Sequence, residues 1–269
     1  MKQNPIPEGE PDTSASSSHD LAVQAEARRR SRRAFIGLGL GSLLGIGGWS
    51  WLLSRPEEDG LPAPLRRVLD ANGQLSSAYF KQTRLAPEFA RSRARTPRVN
   101  GRYGLEDPLD AETWRLRVQP LGAGPAQELT LADIQALPRV EMTTELKCIE
   151  GWSLIVHWAG ARFSDFLARY PLAGLPGRPD ELAPFVALRT PNGKYYVGLD
   201  MASALHPQTL LCYEMNGQPL TASHGAPLRL VTPLKYGIKH LKRIGTIAFA
   251  TQRPSDFWAE RGYDWDSGH

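Results

Sequence analysis

Glu145-Leu146-Lys147-Cys148-Ile149-Glu150-Gly151-Trp152-Ser153 is the stretch on which the reading of this 269-residue chain turns. Glu141 to Leu146 reads as a strand that runs into Cys148. A lone cysteine is by default a small buried hydrophobe. Three neighbours argue for more. Lys147 is adjacent and is expected to lower the thiol pKa, and the thiolate is the form that binds metals. Glu150 lies two residues on and shares a side with Cys148 if the segment is extended. Gly151-Trp152 permits close backbone approach beside an aromatic wall. The only other cysteine is Cys212, so no disulfide framework substitutes for a core. Cys212 sits in the apolar run Leu210-Leu211-Cys212-Tyr213 and is expected to be a packed core thiol.

Outward from Cys148, short strands and helices alternate without a βαβ rhythm. Upstream, Trp114 to Val118 alternates apolar and charged residues, as a half-buried strand does. Thr130 to Leu137 reads as a short helix with Thr130 as N-cap and Asp133 three residues on. Downstream, Phe163 to Tyr170 puts Phe163, Phe166 and Leu167 on one helical face. Phe185 to Arg189 and Tyr195 to Leu199 flank a Pro191-Asn192-Gly193 turn. Leu210 to Met215 and Leu228 to Val231 read as strands, with Asn216-Gly217 as a turn after the first. The sum is a mixed α+β domain, with no Gly-rich dinucleotide fingerprint and no P-loop.

The N-terminal side reads differently. Residues 1–33 are expected to be a disordered leader, rich at first in Ser, Pro and acids. It ends in Ser31-Arg32-Arg33-Ala34-Phe35, which resembles a twin-arginine export signal. Residues 34–54 form an uncharged, Gly-rich apolar run long enough to span a bilayer as a signal or anchor helix. Trp49 and Trp51 stand where a peptidase site needs small residues, which favours an uncleaved anchor. Residues 55–64 read as an exposed linker, and the folded domain as 65–269, opening with a short helix, Leu65 to Asp70, stopped by Asn72-Gly73. The chain is thus expected in the periplasm, delivered by the twin-arginine machinery.

The formal net charge is +4. The excess is local: Arg28 to Arg33, and Lys81, Arg84, Arg91, Arg93, Arg95, Arg98 and Arg102 against Glu88 alone. The second cluster reads either as a solvated surface or as a cradle for an anionic cofactor. Zinc-finger spacings and aromatic RNA-binding signatures are missing, so no nucleic-acid partner is expected. His157, His206 and the aromatic tail with Phe257, Trp258, Tyr263 and Trp265 are expected to be structural.

Several motifs together carry a specific resemblance. Cys148-Ile149-Glu150-Gly151-Trp152-Ser153 is followed by His157-Trp158-Ala159-Gly160. Then come Leu211 to Leu220, His224 to Pro233, and Tyr236 to Lys242. In order and spacing this resembles the sulfite-oxidase-like, molybdopterin-dependent oxidoreductases. Within them it is most similar to the catalytic subunits of bacterial periplasmic protein-methionine-sulfoxide reductases. The resemblance implies a molybdopterin-binding fold with one pterin, in which the Cys148 sulfur binds molybdenum beside the dithiolene. It implies pterin contacts at Thr190 and His224, a basic phosphate site at Arg229 and Lys242, and backbone contacts at His240 and Leu241. Phosphate recognition favours a bidentate Arg, a Lys point charge and free backbone N–H groups.

The match is uneven. The stretch Thr83 to Phe89 lacks the Asn-rich pattern that holds the pterin in the reductases. Where the sulfite oxidases carry an Arg after their cysteine, this chain carries Glu150, whose charge disfavours sulfite. The expected reaction is reduction of a small or protein-bound S-oxide or N-oxide, with Glu150 as proton donor if burial raises its pKa. No haem or iron–sulfur cysteine motif is present, so a membrane haem or quinol-linked subunit is the expected electron source. An oxidase that passes electrons to a cytochrome and a non-catalytic periplasmic binding module are the alternatives.

Overall fold

The structure is a computed structural model that describes residues 13–79, 83–122 and 124–269. The described chain divides at Pro56 into two units. The first is one helix, α1 (Thr13–Leu53). It starts ahead of the apolar run and takes in residues 13–33, which the sequence leaves unstructured. Ala, Gln, Glu and Arg dominate the last part of that segment and are strong helix formers. Arg30 Nε donates to Glu26 Oε1 at 3.0 Å, one turn away. The rest of the leader, residues 1–12, lies outside the described residues. Arg28–Leu53, 26 residues long, holds a stretch apolar enough to cross a membrane, with a mean hydropathy of 1.4. At 1.5 Å per residue that is about 39 Å of helix, against a hydrocarbon core of about 30 Å.

The second unit begins with a hairpin where the sequence suggests a linker. β1 (Glu57–Glu58) pairs with β2 (Leu61–Pro62) around Asp59-Gly60, both at positive φ. α2 (Ala63–Tyr79) then runs through Asn72-Gly73, past the expected stop. A Cβ on Gly73 would sit 3.3 Å from Asp264 Oδ1, so the glycine permits close packing there and no turn. Arg66 on this helix is 2% exposed. It donates to the carbonyls of Asp59, Ala259 and Tyr263 and so ties the hairpin to the C-terminal tail.

The remaining chain order is β3 (Leu116–Gln119), β4 (Gln127–Leu129), α3 (Leu131–Gln135), β5 (Arg139–Lys147), β6 (Ser153–Arg162), α4 (Phe163–Arg169), β7 (Gly174–Leu175), β8 (Arg178–Leu182), β9 (Phe185–Arg189), β10 (Tyr196–Asp200), α5 (Met201–Ala204), β11 (Leu210–Met215), β12 (Gln218–Pro219), β13 (Arg229–Val231) and β14 (Thr246–Ala250). One sheet has the order β10-β9-β14-β3-β4, and the other β12-β11-β6-β5 with β13 also on β11. Among the described strands only β14 and β3 run parallel, so this is the expected mixed α+β architecture. The Thr130–Asp133 capping box at α3 is present in both directions.

The main core joins the inner faces of both sheets: Leu116, Val186, Leu188 and Ile247 from one, Ala161, Leu211 and Leu230 from the other. A second cluster, with Trp158, Cys212 and Val231, covers the opposite face of the β11 sheet. That sheet is therefore buried on both faces. Gly160 lets β6 approach β11 at a register shift, since a Cβ there would lie 2.3 Å from the Leu211 carbonyl oxygen.

Candidate active site

β5 and β6 form a long hairpin in register from Arg139 opposite Ala161 to Lys147 opposite Ser153. Cys148 to Trp152 close it. The Cys148 N–H donates to Trp152 O at 2.8 Å, and the Gly151 N–H to Cys148 O at 3.1 Å. Gly151 adopts φ +86°, which side-chain-bearing residues avoid. The segment is a turn and not the extended run expected, so strand alternation is not what aligns Glu150 with Cys148. The turn itself brings them together. Asn100 Nδ2 lies 3.7 Å from Cys148 Sγ and 3.2 Å from Glu150 Oε2. Trp152 Nε1 donates to the same carboxylate oxygen at 3.1 Å. Glu150 is exposed, so the burial expected of a proton donor there is missing.

Lys147 does not serve the thiol either. Its Nζ meets His269 Nδ1 at 3.3 Å. Burial pushes the half-buried Cys148 thiol above its ordinary pKa, and the Glu150 charge adds to the rise. The lowering expected from Lys147 is absent. A bound cation is what favours thiolate at such a position. Among the described residues no three His, Cys, Asp or Glu side chains gather as a metal cage. A metal on Cys148 must take its other ligands from a bound group.

Cys148 and Glu150 line a cavity of about 290 Å³, and its far side is cationic. β13 delivers Arg229, 3% exposed. Its guanidinium donates to the carbonyl oxygens of His224 at 3.0 Å and His240 at 3.5 Å, and stacks 4.9 Å over the Trp158 ring. Its Nε has no partner. Among the described residues no carboxylate pairs with it, and burial lowers its pKa to about 10, still charged at neutral pH. Lys242 joins it on the lining. Lys242 Nζ donates to Asn100 O at 2.5 Å and Ser223 O at 3.1 Å, and burial, then Arg229, lower its pKa to about 8. The turn Ala222–His224 packs onto the Lys242 backbone through Gly225, at φ +99°.

Both histidines of the cavity are neutral. His240 is pushed down to about 3 by burial and then by Arg229. Its Nε2 faces the carbonyls of Thr232 and Lys235, which assigns the proton to that nitrogen and leaves buried Nδ1 as an unpartnered acceptor. His224 is lowered chiefly by burial, then by Lys242 and Arg229.

Six of the residues expected from the sequence thus meet in one cavity: Cys148, Glu150, His224, Arg229, His240 and Lys242. Thr190 and Leu241 are not on its lining. Leu241 is a wholly buried core residue whose N–H is already given to Lys239 O at 2.9 Å. The His240 N–H goes to Gly237 O at 3.1 Å. The Thr190 hydroxyl donates to Asn192 Oδ1 at 2.9 Å, and its side chain fills the space beside Gly104.

Several participants were missed. Thr83 to Phe89 does not reach the cavity. Gln208 holds it through Ala86, and Phe89 N–H donates to Thr143 O. The stretch that does reach it is Pro97 to Tyr103, with Asn100 at its centre. The Asn-Gly pair at 100–101 was its one visible signal. Of the tail, Phe257 and Trp265 pack as expected, whereas Trp258 and Tyr263 line the cavity. Asp256 sets that wall: it accepts from Lys239 Nζ at 2.6 Å and from the N–H groups of Trp258 and Ala259. His157 and His206 are held in hydrogen bonds away from the lining, as expected.

A single thiol that shares a cavity with buried Arg229 and half-buried Lys242, neither paired with a carboxylate among the described residues, fits a metal carried by an anionic organic group. The comparison with known families agrees. The model for the oxidoreductase molybdopterin binding domain matches residues 104–258. This chain belongs to that family. An Azospira oryzae protein, provisionally named protein-methionine-sulfoxide reductase subunit YedZ1, is 33% identical over 88% of this chain and 88% of its own length. The protein-methionine-sulfoxide reductase catalytic subunit MsrP of Xanthomonas campestris is 35% identical over 46% of this chain. Rat mitochondrial sulfite oxidase is 34% identical over 59% of it. Those matches span 41% and 34% of the latter two proteins. The sulfite-oxidase-like resemblance is therefore real, and the chain is a molybdopterin-dependent oxidoreductase.

Proposed function

We propose that this enzyme reduces S-oxides, methionine sulfoxide foremost, at a molybdenum centre held by Cys148 and one pterin dithiolene. The observation that supports it best is the cavity itself, with Cys148 at one wall and buried Arg229 and half-buried Lys242 at another. Arg229 and Lys242 would hold the pterin phosphate, and His224 would contact the pterin. The His240 backbone is spent within the chain, so its free Nδ1 is the group that would accept from the cofactor. Thr190 and Leu241 would support this site from behind. When bound, the cofactor supplies two-electron redox chemistry at the metal.

Sulfoxide reduction consumes two electrons and two protons and releases a thioether and water. Glu150 stands on the solvent side of Cys148, bridged to it by Asn100, where it passes protons from bulk water to the departing oxygen. Tyr103, Trp152 and Trp258 exclude water from the apolar part of the substrate. The electrons come from a separate membrane haem or quinol-linked subunit, next to which α1 would keep the enzyme. Arg32 and Arg33 mark the chain for twin-arginine export to the periplasm.

Sulfite oxidation is the second reading, favoured by the match to rat sulfite oxidase. The Glu150 carboxylate beside Cys148 opposes it, because sulfite is an anion. Turnover by the loaded enzyme separates the two. With reduced viologen as donor, methionine sulfoxide should be reduced, and sulfite with ferricyanide should give little rate. Brisk sulfite oxidation with inert sulfoxides would overturn the proposal.

A further inference from the structure

Arg91 to Arg102 is a basic segment outside the core, and of its arginines only Arg98 lines the cavity. Arg91, Arg93, Arg95, Arg98 and Arg102 are all exposed. Among the ion pairs of the described residues only Arg91 meets a carboxylate, Glu141 at 3.9 Å. The others are held without being neutralised. Arg93 stacks over Phe89 at 4.7 Å and Arg98 over Trp152 at 5.2 Å, while Arg95 donates to the carbonyls of Ser92 and Ala94. The same strap then enters the site: Arg98, Asn100, Gly101 and Tyr103 line the cavity beside the Cys148 turn. Exposed apolar side chains lie near the arginines: Val99 at 60% within the strap, and Tyr103 at 52% and Ile149 at 37% on the cavity lining.

A small oxide needs neither a cationic approach nor an exposed apolar rim. A polypeptide with acidic residues around its oxidised methionine uses both. Arg229 and half-buried Lys242 are the cations assigned to the cofactor phosphate, and Arg91, Arg93, Arg95 and Arg102 lie off the cavity lining and stay available. Glu150 is the carboxylate at the mouth, and it is already engaged by Asn100 and Trp152.

We propose that the Arg91–Arg102 strap is a docking rim for acidic segments of oxidised protein, so that the preferred substrate is methionine sulfoxide flanked by Asp and Glu. This rests on the sulfoxide-reductase reading. Cationic rims of this kind raise association rates by about 10- to 10³-fold at low salt.

The test uses the full-length, cofactor-loaded enzyme with reduced viologen as donor, which bypasses any protein redox partner. Free methionine sulfoxide is assayed beside three otherwise identical peptides whose methionine sulfoxide is flanked by Asp, Ser or Lys. The expected result is a kcat/KM for the Asp peptide about tenfold above that for the Lys peptide at low ionic strength. The difference should fade as the screening length shrinks from about 10 Å at 0.1 M salt to about 3 Å at 1 M. Arg95→Glu with Arg102→Glu should turn the preference towards the Lys peptide, a gain that a misfolded chain does not show. Equal kcat/KM for the three peptides, or a preference that survives the charge reversal, overturns the proposal. Arginine variants that slow turnover only with a native membrane donor would assign the rim to the redox partner and also overturn it. Inert free methionine sulfoxide would instead sink the reductase reading beneath it.

Discussion

Arg229 carries a positive charge to a buried place where no carboxylate of the described chain neutralises it. An unpaired buried ion is costly to desolvate, and an apolar side chain of similar volume removes that cost at the loss of its two hydrogen bonds to carbonyls. Arg229→Met should therefore leave the melting temperature of the cofactor-free protein unchanged or higher while bound pterin falls at least tenfold. Retained pterin would show that the charge serves something else. Lys242 gives a pH test. Its folded pKa of about 8 lies below its ordinary 10.5. Below pH 8 the folded apoprotein bears the full cost of the buried charge, and stability rises as pH climbs from about 8 through 10.5, where the unfolded chain holds more protons. An anion that pairs with the ammonium runs the other way. Inorganic phosphate binding to the apoprotein, measured calorimetrically, should weaken as pH passes 8. Affinity that is flat across that range would remove Lys242 from the anion site. At Glu150 the expected effect is on rate alone. Glu150→Gln should keep molybdenum and lower sulfoxide reduction by about 10²-fold, the lower end for losing a proton donor, because water reaches this exposed position. An unchanged rate would remove Glu150 from proton delivery.

At the scale of elements, the strand that runs into Cys148 and the α3 cap were legible because period and cap chemistry are local, whereas the strand beyond it, Ser153–Arg162, was not read. Phe185 to Arg189 pairs with Tyr196–Asp200 as the intervening Pro-Asn-Gly turn implied. What was hidden depends on distant partners. α2 passes its Asn-Gly pair because Asp264 closes over Gly73. Arg66 looks like a surface residue until the tail carbonyls of Ala259 and Tyr263 arrive. Asn100 has no periodic context, and only the fold brings it to Cys148. The extended reading of Cys148 to Glu150 failed because Gly151 turns the chain in two residues. Gly160 offers a check on the sheet that carries the site. Its Cβ position meets the Leu211 carbonyl oxygen, so Gly160→Ala should cost about 1–3 kcal/mol, seen as a lower melting temperature. A neutral result would mean that β6 and β11 adjust freely at their register shift.

At the scale of the whole molecule the site draws on segments far apart in the chain: the 97–103 strap, the β5–β6 turn, the 222–229 turn and strand, the 237–242 segment and the aromatic tail. Each alone is unremarkable, and only the closed unit assembles them. That also suits an export route that carries proteins already folded around a cofactor. Arg32→Lys with Arg33→Lys should hold the loaded enzyme in the cytoplasm, read by cell fractionation. Periplasmic delivery of that variant would refute the twin-arginine reading. The most direct test of the central claim is molybdenum content together with X-ray absorption at the molybdenum edge. The wild type should hold near one molybdenum per chain, with the dithiolene sulfurs and a further thiolate. Cys148→Ser should lose the metal or show one sulfur fewer, and Cys212→Ser, altering a wholly buried thiol, should change neither. A wild type without molybdenum, or a Cys148→Ser protein with an unaltered sulfur shell, would contradict the account.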